Sequence, residues 1–248
     1  MGEAHLNDFH VIIPARLKSS RLPAKLLLTH QGQSIIERVY TLAQASGALS
    51  ITIACDDEQI VNHVKSFGAN VLMTSVDHQS GTDRVAEAAR MLGLDAQAII
   101  VNLQGDEPQM PTQLLAQVAS LLVHRQSDWA SLYSPIMSTA DFLNPNVVKV
   151  VLDDTERALY FSRSPIPYAR DDLANITQAK RHIGLYAYRM DALQAFVQAP
   201  MSSIEQVECL EQLRALTLGM HIQMQQSRLM PGQDINTRDD FERFCAMR

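Results

Sequence analysis

The run VIIPARLKSSRLPAK, Val11 to Lys25, opens as a buried strand and closes as a loop carrying Arg16, Lys18, Arg21 and Lys25. Val11, Ile12 and Ile13 form the continuous apolar run expected of a strand covered on both faces. Pro14 has no N–H to give to a ladder, so pairing should stop there. The four cations then fall just past a strand's carboxyl end, where open α/β sheets bind ligands. No acidic residue occurs from Phe9 to Ile36, although the whole chain has 27 Asp plus Glu against 21 Lys plus Arg. A cationic loop on an acidic protein fits an anion, with a triphosphate the natural guess. Arg supplies a planar fork, Lys a mobile point charge, and Ser19 and Ser20 supply hydroxyl donors. A solvated basic turn is the alternative. Neither Gly-x4-Gly-Lys-Ser/Thr nor Gly-x-Gly-x-x-Gly occurs in the sequence.

The pattern that follows sets the fold class. Ser34 and Glu37 have capping-box spacing, and Ile35, Ile36, Val39, Leu42 and Ala43 form a helical stripe ending near Gly47. Ile51 to Cys55 reads as a strand, Asp56 and Asp57 as cap candidates, and Ile60, Val61, Val64 and Phe67 as a helix stopped at Gly68. Asn70 to Met73 is a third strand. Short apolar strands alternating with helices predict an α/β fold with a mostly parallel, doubly wound sheet. TSVDHQSGTDR, Thr74 to Arg84, gathers polar groups around Gly81 ahead of the next helix. It reads equally as a site for a base or ribose and as an N-capped turn, with Thr82 as cap. Ala98 to Leu103 is a strongly apolar strand running into Gln104-Gly105-Asp106-Glu107-Pro108. A carboxylate there, Asp106, suits Mg²⁺, which takes one or two protein carboxylates and fills its other positions with phosphate and water.

Beyond a helix from Thr112 to His124 and a strand from Ala130 to Ile136, the rhythm breaks. Val147 to Leu152 and Ala158 to Ser164 read as a hairpin, followed by a polar stretch to Arg181, the strand-like HIGLYAYR and a helix from Asp191 to Gln198. This region, roughly 140–200, is expected to be an arm that covers the site and pairs with a second subunit. A long helix is expected from Ser202 to Leu218, with Ile204, Val207, Leu210 and Leu213 as its core stripe and Glu205, Glu208 and Gln212 on a solvated face. A strand from His221, the turn PGQDINT and a short helix with Phe241 and Phe244 close the chain.

Composition narrows the function. With 248 residues and no linker-like stretch, a single domain over 1–248 is expected. The net charge of −6 argues against nucleic acid, whose phosphate backbone demands a basic face. Three widely spaced cysteines, Cys55, Cys209 and Cys245, show no metal or disulfide pattern and are expected to be core thiols. No apolar run is long enough to span a bilayer and the N-terminus lacks a signal-peptide pattern, so a cytoplasmic protein without a membrane partner is expected.

The motifs PAR..SSRLP.K at Pro14 to Lys25, DHQSGTDR at Asp77 to Arg84 and NLQGDEP at Asn102 to Pro108, in that order, closely resemble those of the CMP-Kdo synthetases, the 3-deoxy-manno-octulosonate cytidylyltransferases. NPNVVKVV from Asn144, ALYFSRSPIPY from Ala158, HIGLYAYR from His182 and IEQVECLEQLR from Ile204 extend the resemblance over nearly the whole chain. The resemblance implies a Rossmann-like nucleotidyltransferase fold in a homodimer, with an inserted dimerisation and sugar-binding arm. The implied reaction moves CMP from CTP to the anomeric hydroxyl of an acidic eight-carbon sugar, Kdo or its 8-amino-8-deoxy analogue, with release of pyrophosphate, for lipopolysaccharide biosynthesis. CMP-sialate synthesis and a non-catalytic nucleotide-binding regulator are the competing readings.

Carried over by position, Arg16, Ser20 and Lys25 would contact the triphosphate, and Arg84 and Gln104 the nucleotide. Asp106 would hold Mg²⁺ and, with Arg16 and Lys25, carry the catalysis. Arg163, His182, Tyr186, Glu208 and Gln212 match the sugar-binding positions. The chain departs from the family pattern at Ala24 and Leu26, where Gly and Pro are usual, and at Tyr168, where Trp is usual. It also has Asn236 where the family has a metal-binding Asp. In an extended strand residues i and i+2 share a side, which brings Asp234 in, about 7 Å back along the chain, as a replacement ligand.

Overall fold

Short polar side chains start most of the helices. In the computed structural model, which describes residues 8–19, 21–124, 127–172 and 175–247, the chain runs β1 (Phe9–Ala15), a 3-10 turn (Lys25–Leu27), β2 (Thr29–His30), β3 (Gln33–Ser34), α1 (Ile35–Gln44), β4 (Ser50–Cys55), α2 (Glu58–Ser66) and β5 (Val71–Met73). It continues through α3 (Gly81–Met91), β6 (Ile99–Asn102), α4 (Thr112–His124), β7 (Trp129–Pro135), α5 (Thr139–Leu143), β8 (Lys149–Leu152) and β9 (Ala158–Ser162). The rest is β10 (Lys180–Arg189), α6 (Met190–Gln198), α7 (Ser203–Glu208), α8 (Gln212–Thr217), β11 (Ile222–Gln226) and α9 (Arg238–Ala246). Ser34 caps α1 by accepting from Glu37 N–H, and Asp57 caps α2. At α3 the cap is Ser80, in a capping box with Asp83, and Thr82 already lies inside the helix.

The main sheet has the order β11-β7-β10-β6-β1-β4-β5, with the β8–β9 hairpin attached to β10. β1 lies parallel between β4 and β6, β4 is parallel to β5, and β7 to β11. The mostly parallel, doubly wound sheet expected from the sequence is therefore present, with Val11, Ile12 and Ile13 fully buried at its centre. One element departs from expectation. HIGLYAYR, assigned to the arm on sequence, lies in the middle of the sheet, antiparallel to both β6 and β7. Both of its faces are covered, which accounts for the placement: Ile183, Leu185 and Ala187 enter the core on one side of the sheet and Tyr188 the core on the other. The antiparallel direction brings His182, at the start of β10, past the carboxyl end of β6.

The helix expected from Ser202 to Leu218 is broken in two. Cys209 adopts φ 50°, and the Arg163 guanidinium takes the carbonyls of Glu208 and Cys209 at 2.6 and 3.2 Å, the acceptors that a continuous helix needs. The face expected to be solvated is buried as well. Glu205 is 3% exposed and grips Arg214 through two hydrogen bonds of 2.6 and 2.8 Å, while the guanidinium packs over the Phe196 ring. Of the three cysteines only Cys55 is a core thiol, since Cys209 is exposed and Cys245 half-buried.

The turn after β6 passes close to β1. A Cβ added at Gly105 would lie 2.9 Å from the Pro14 carbonyl oxygen, a backbone atom that cannot step aside. This contact holds the Asp106 loop against the cationic loop. Gly105→Ala should therefore lower stability by about 1–3 kcal/mol, the usual cost of overpacking, read from thermal or urea unfolding. An unchanged midpoint would mean that the two loops are not held this closely.

Candidate active site

Three segments far apart in sequence meet at one ammonium group. Lys25 Nζ donates to an Asp106 carboxylate oxygen, to the Ile235 carbonyl at 3.0 Å and to Asn236 Oδ1 at 3.2 Å. Arg21 Nη2 donates to the same Asn236 oxygen at 2.8 Å. The late turn is pinned there by Ile235, which is 1% exposed and donates its N–H to the Asp106 carbonyl at 3.0 Å. Burying such a side chain stabilises by roughly 1.5–3 kcal/mol. Residues 227–237 pair with no strand, and Asp234 and Asn236 lie on the same side of the turn, as the i, i+2 spacing suggests. Asp234 accepts there from Asn236 Nδ2. Asn236 lines the cavity and Asp234 does not. The carboxyl of Glu107, next to Asp106, is buried, and burial pushes its pKa up to about 8, with Asp106 and Asp234 adding to the shift. Burial and the two neighbouring carboxylates thus favour its neutral form beside Asp106.

Around this knot lies a cavity of about 270 Å³ lined by Arg16, Ser19, Arg21, Lys25, His78, Ser80, Arg84, Gln104, Asp106, Glu211 and Asn236 among others. The structure thus gathers Arg16, Lys25, Arg84, Gln104 and Asp106 into one place. Ser20 lies outside the described residues. Arg84 is 3% exposed, and its guanidinium donates to Thr74 Oγ1 at 2.6 Å and to Asp56 Oδ2 at 2.9 Å. The other oxygen of Asp56 accepts from Leu17 N–H at 3.1 Å. Asp56, considered on sequence only as a helix cap, thus ties the cationic loop to Arg84. The neighbouring Asp57 caps the helix, so composition alone did not separate the two roles.

A second cavity, of about 290 Å³, adjoins the first and shares Gly81, Gln104 and Glu211 with it. His182, Tyr186 and Gln212 line it, together with Asn102, Trp129 and Tyr188. Trp129 packs edge to face on Tyr188 and Phe196, with centroids 4.6 and 4.7 Å away, which fixes its orientation. Its Nε1 and the Tyr186 hydroxyl are buried with no hydrogen-bond partner among the described residues. Two unpaired donors in one cavity suit a ligand rich in hydroxyls. Burial lowers the His182 pKa to about 3, so the ring is neutral at physiological pH.

Arg163 and Glu208 do not line either cavity. Glu208 accepts from Ser162 Oγ at 2.6 Å and from Arg163 N–H at 2.9 Å, and the Arg163 guanidinium is spent on three backbone carbonyls. The pair acts as a clamp that breaks the helix and turns residues 209–212 toward the second cavity. Glu211, which lines both cavities, is the residue sequence reading missed. In IEQVECLEQLR a continuous helical phase drew notice to Glu208, whereas the break at Cys209 turns Glu211 inward.

The chain is similar to known proteins over nearly its whole length. The family model described as Cytidylyltransferase matches residues 10–222. The 3-deoxy-manno-octulosonate cytidylyltransferase of Legionella pneumophila (strain Lens) is 47% identical over 234 residues, covering 94% of either chain. Its counterpart from Alteromonas mediterranea is 46% identical, covering 95% of this chain and 98% of the relative. A solved CMP:2-keto-3-deoxy-manno-octonic acid synthetase complexed with CTP superposes with a TM-score of 0.89 at 38% identity, covering 96% of this chain and 97% of that one. The 4-diphosphocytidyl-2C-methyl-D-erythritol synthase of Anaerococcus prevotii, at 13% identity and a TM-score of 0.63, shares the fold.

The Asp56 bridge can be tested by itself. Asp56→Asn keeps an acceptor for Leu17 N–H but removes the charge facing Arg84, and a hydrogen bond to a charged group contributes about 1.5–3 kcal/mol. Nucleoside triphosphate binding, followed by titration calorimetry, should weaken about 10–100-fold. An unchanged Kd would mean that the loop and Arg84 are held by other contacts.

Proposed function

This chain belongs to the cytidylyltransferase family, and from that membership we propose that it transfers CMP from CTP to the anomeric hydroxyl of 3-deoxy-manno-octulosonate, releasing pyrophosphate. The observation that carries this reading is the pair of adjoining cavities. One is ringed by cations, and the other is lined by aromatic, amide and hydroxyl groups with unpaired donors. In the transfer the sugar oxygen bonds to the α-phosphorus while the bond to the pyrophosphate oxygen breaks. No covalent enzyme intermediate is needed. Alignment of the two substrates and neutralisation of the phosphates are the chief demands. Arg16, Arg21 and Lys25 meet the second demand, and the shared wall of Gly81, Gln104 and Glu211 meets the first.

The donor set fits Mg²⁺. The Asp106 carboxylate and the Asn236 amide oxygen converge on one point, now taken by Lys25 Nζ, and both are hard oxygens. Among the described residues no group of three or more His, Cys, Asp or Glu forms an all-protein cage. An ion held by these two oxygens would take its other positions from phosphate and water. Bound there, Mg²⁺ would neutralise phosphate charge. Asp234 enters through its hydrogen bond to the Asn236 amide nitrogen, which turns the amide oxygen inward.

Exposed apolar residues on the arm and its hairpin, Leu143 at 60%, Leu159 at 59% and Tyr168 at 73%, support a homodimer. No helix among the described residues is long and apolar enough to cross a membrane. We place the enzyme in the cytoplasm, at a step of lipopolysaccharide biosynthesis, where CTP is available.

Pyrophosphate release from CTP is the decisive assay, run with the eight-carbon sugar, its 8-amino analogue and sialate as acceptors. Release is expected with an eight-carbon acid. Release with sialate alone would point to the CMP-sialate reaction, and none with any acceptor to a nucleotide-binding regulator. Lys25→Ala should lower kcat by at least ~10²-fold with the fold intact, because a cation at 4 Å from a phosphate oxygen contributes about 4 kcal/mol at an effective dielectric of 20. Near-normal turnover would remove Lys25 from the catalytic set. For the metal, Asp234→Asn should weaken Mn²⁺ binding in the presence of CTP about 10-fold, read by electron paramagnetic resonance. Unchanged Mn²⁺ affinity would leave Asp234 with no part in holding the amide.

A further inference from the structure

The anomeric hydroxyl must lose its proton as it attacks, and the proposed reaction leaves open where that proton goes. Gly81, Gln104 and Glu211 are the residues common to both cavities, and only Glu211 among them can ionise. Its Oε2 is buried with no hydrogen-bond partner among the described residues. The other ionisable groups nearby are engaged or in the wrong state. Asp106 is bonded to Lys25, His78 to Glu87, and Asp83 to the Ser80 N–H and hydroxyl. His182 is too weak a base, with its pKa lowered to about 3 by burial. Tyr186 and Tyr188 have pKa values raised by burial and stay protonated.

We propose that Glu211 is the general base of the transfer, its Oε2 taking the proton from the anomeric hydroxyl at the junction of the two cavities. As the sugar oxygen bonds to the α-phosphorus, the O–H electron pair becomes the new O–P bond and the proton moves to Oε2. The bond to the bridging oxygen breaks, pyrophosphate leaves with that electron pair, and Glu211 then returns the proton to solvent. The surroundings suit a base working near neutrality. Burial raises the Glu211 pKa and Asp83 adds to the rise, while Thr82, Arg214 and Ser80 oppose it. Tyr186 and Tyr188 also face it from β10, both uncharged.

The inference rests on the cytidylyltransferase reading, so the wild type is assayed first with CTP and the eight-carbon sugar. Failure there would sink the reading itself. Given wild-type turnover, kcat should fall toward low pH along a limb above the usual glutamate range, since the base works only when deprotonated. Glu211→Gln should lower kcat about 10²–10⁴-fold, the usual contribution of a general base. It should abolish that limb while leaving KM for both substrates within about 3-fold, a KM that binding alone would move. Glu211→Ala should regain turnover in added formate, which restores a carboxylate without restoring the side chain. A Glu211→Gln enzyme with kcat within about 3-fold of wild type and the limb retained would overturn the proposal. So would a raised sugar KM at unchanged kcat, or a Glu211→Ala enzyme indifferent to formate.

Discussion

The wall of the cationic cavity depends on one largely enclosed ammonium. The Lys25 side chain is 12% exposed, and a charge so placed costs several kcal/mol unless its protons are satisfied. Two segments supply the acceptors: the turn after β6 through Asp106, and the late turn through the Ile235 carbonyl and the Asn236 side chain. Gly105 lets the first turn come this close, and Ile235 plugs the second into the core. The same oxygens that satisfy the lysine are those suited to a metal. Binding of a metal-bound triphosphate would exchange one set of partners for another, since the phosphates could receive the ammonium that the oxygens release.

The sheet and the cationic loop were legible because their signals are local. Val11 to Pro14 announce a central strand ending in a ligand loop, and alternating strands and helices announce parallel pairing. β10 was not legible in the same way. HIGLYAYR has the composition of a strand, but its place between β6 and β7 is a property of the whole sheet, decided by cover on both faces. The broken helix failed for a related reason. Its apolar period runs without interruption through Cys209, and only a distant Arg163 competing for the carbonyls stops it.

The same competition explains how site residues were sorted. Sequence position assigned sugar contacts to Arg163 and Glu208, yet their polar atoms are consumed by backbone groups and by each other's segment. They serve the second cavity at one remove, by setting the turn that presents Glu211 and Gln212. Asn236 illustrates the converse. It is neutral where the sequence resemblance implies a charge, but Asp234 lies two residues away and bonds its amide. The negative charge remains in the turn, displaced by one contact from the cavity it influences.

The division of charge between the cavities constrains how an acidic sugar can lie. No Lys or Arg lines the second cavity, and its one histidine is neutral. A sugar carboxylate left deep in that cavity would be unpaired and costly. In a 2-keto acid the carboxylate is bonded to the carbon that bears the reacting hydroxyl, so bringing the hydroxyl to the triphosphate would also keep the carboxylate near the junction with the cationic cavity rather than deep in the second one. The hydroxylated tail would then fall in the second cavity, where Trp129 Nε1 and the Tyr186 hydroxyl are unpaired among the described residues. One orientation would satisfy the charge, the donors and the chemistry together. It would also bring a second negative group toward Glu211, at the junction of the two cavities, and so raise that residue's proton affinity as the hydroxyl arrives.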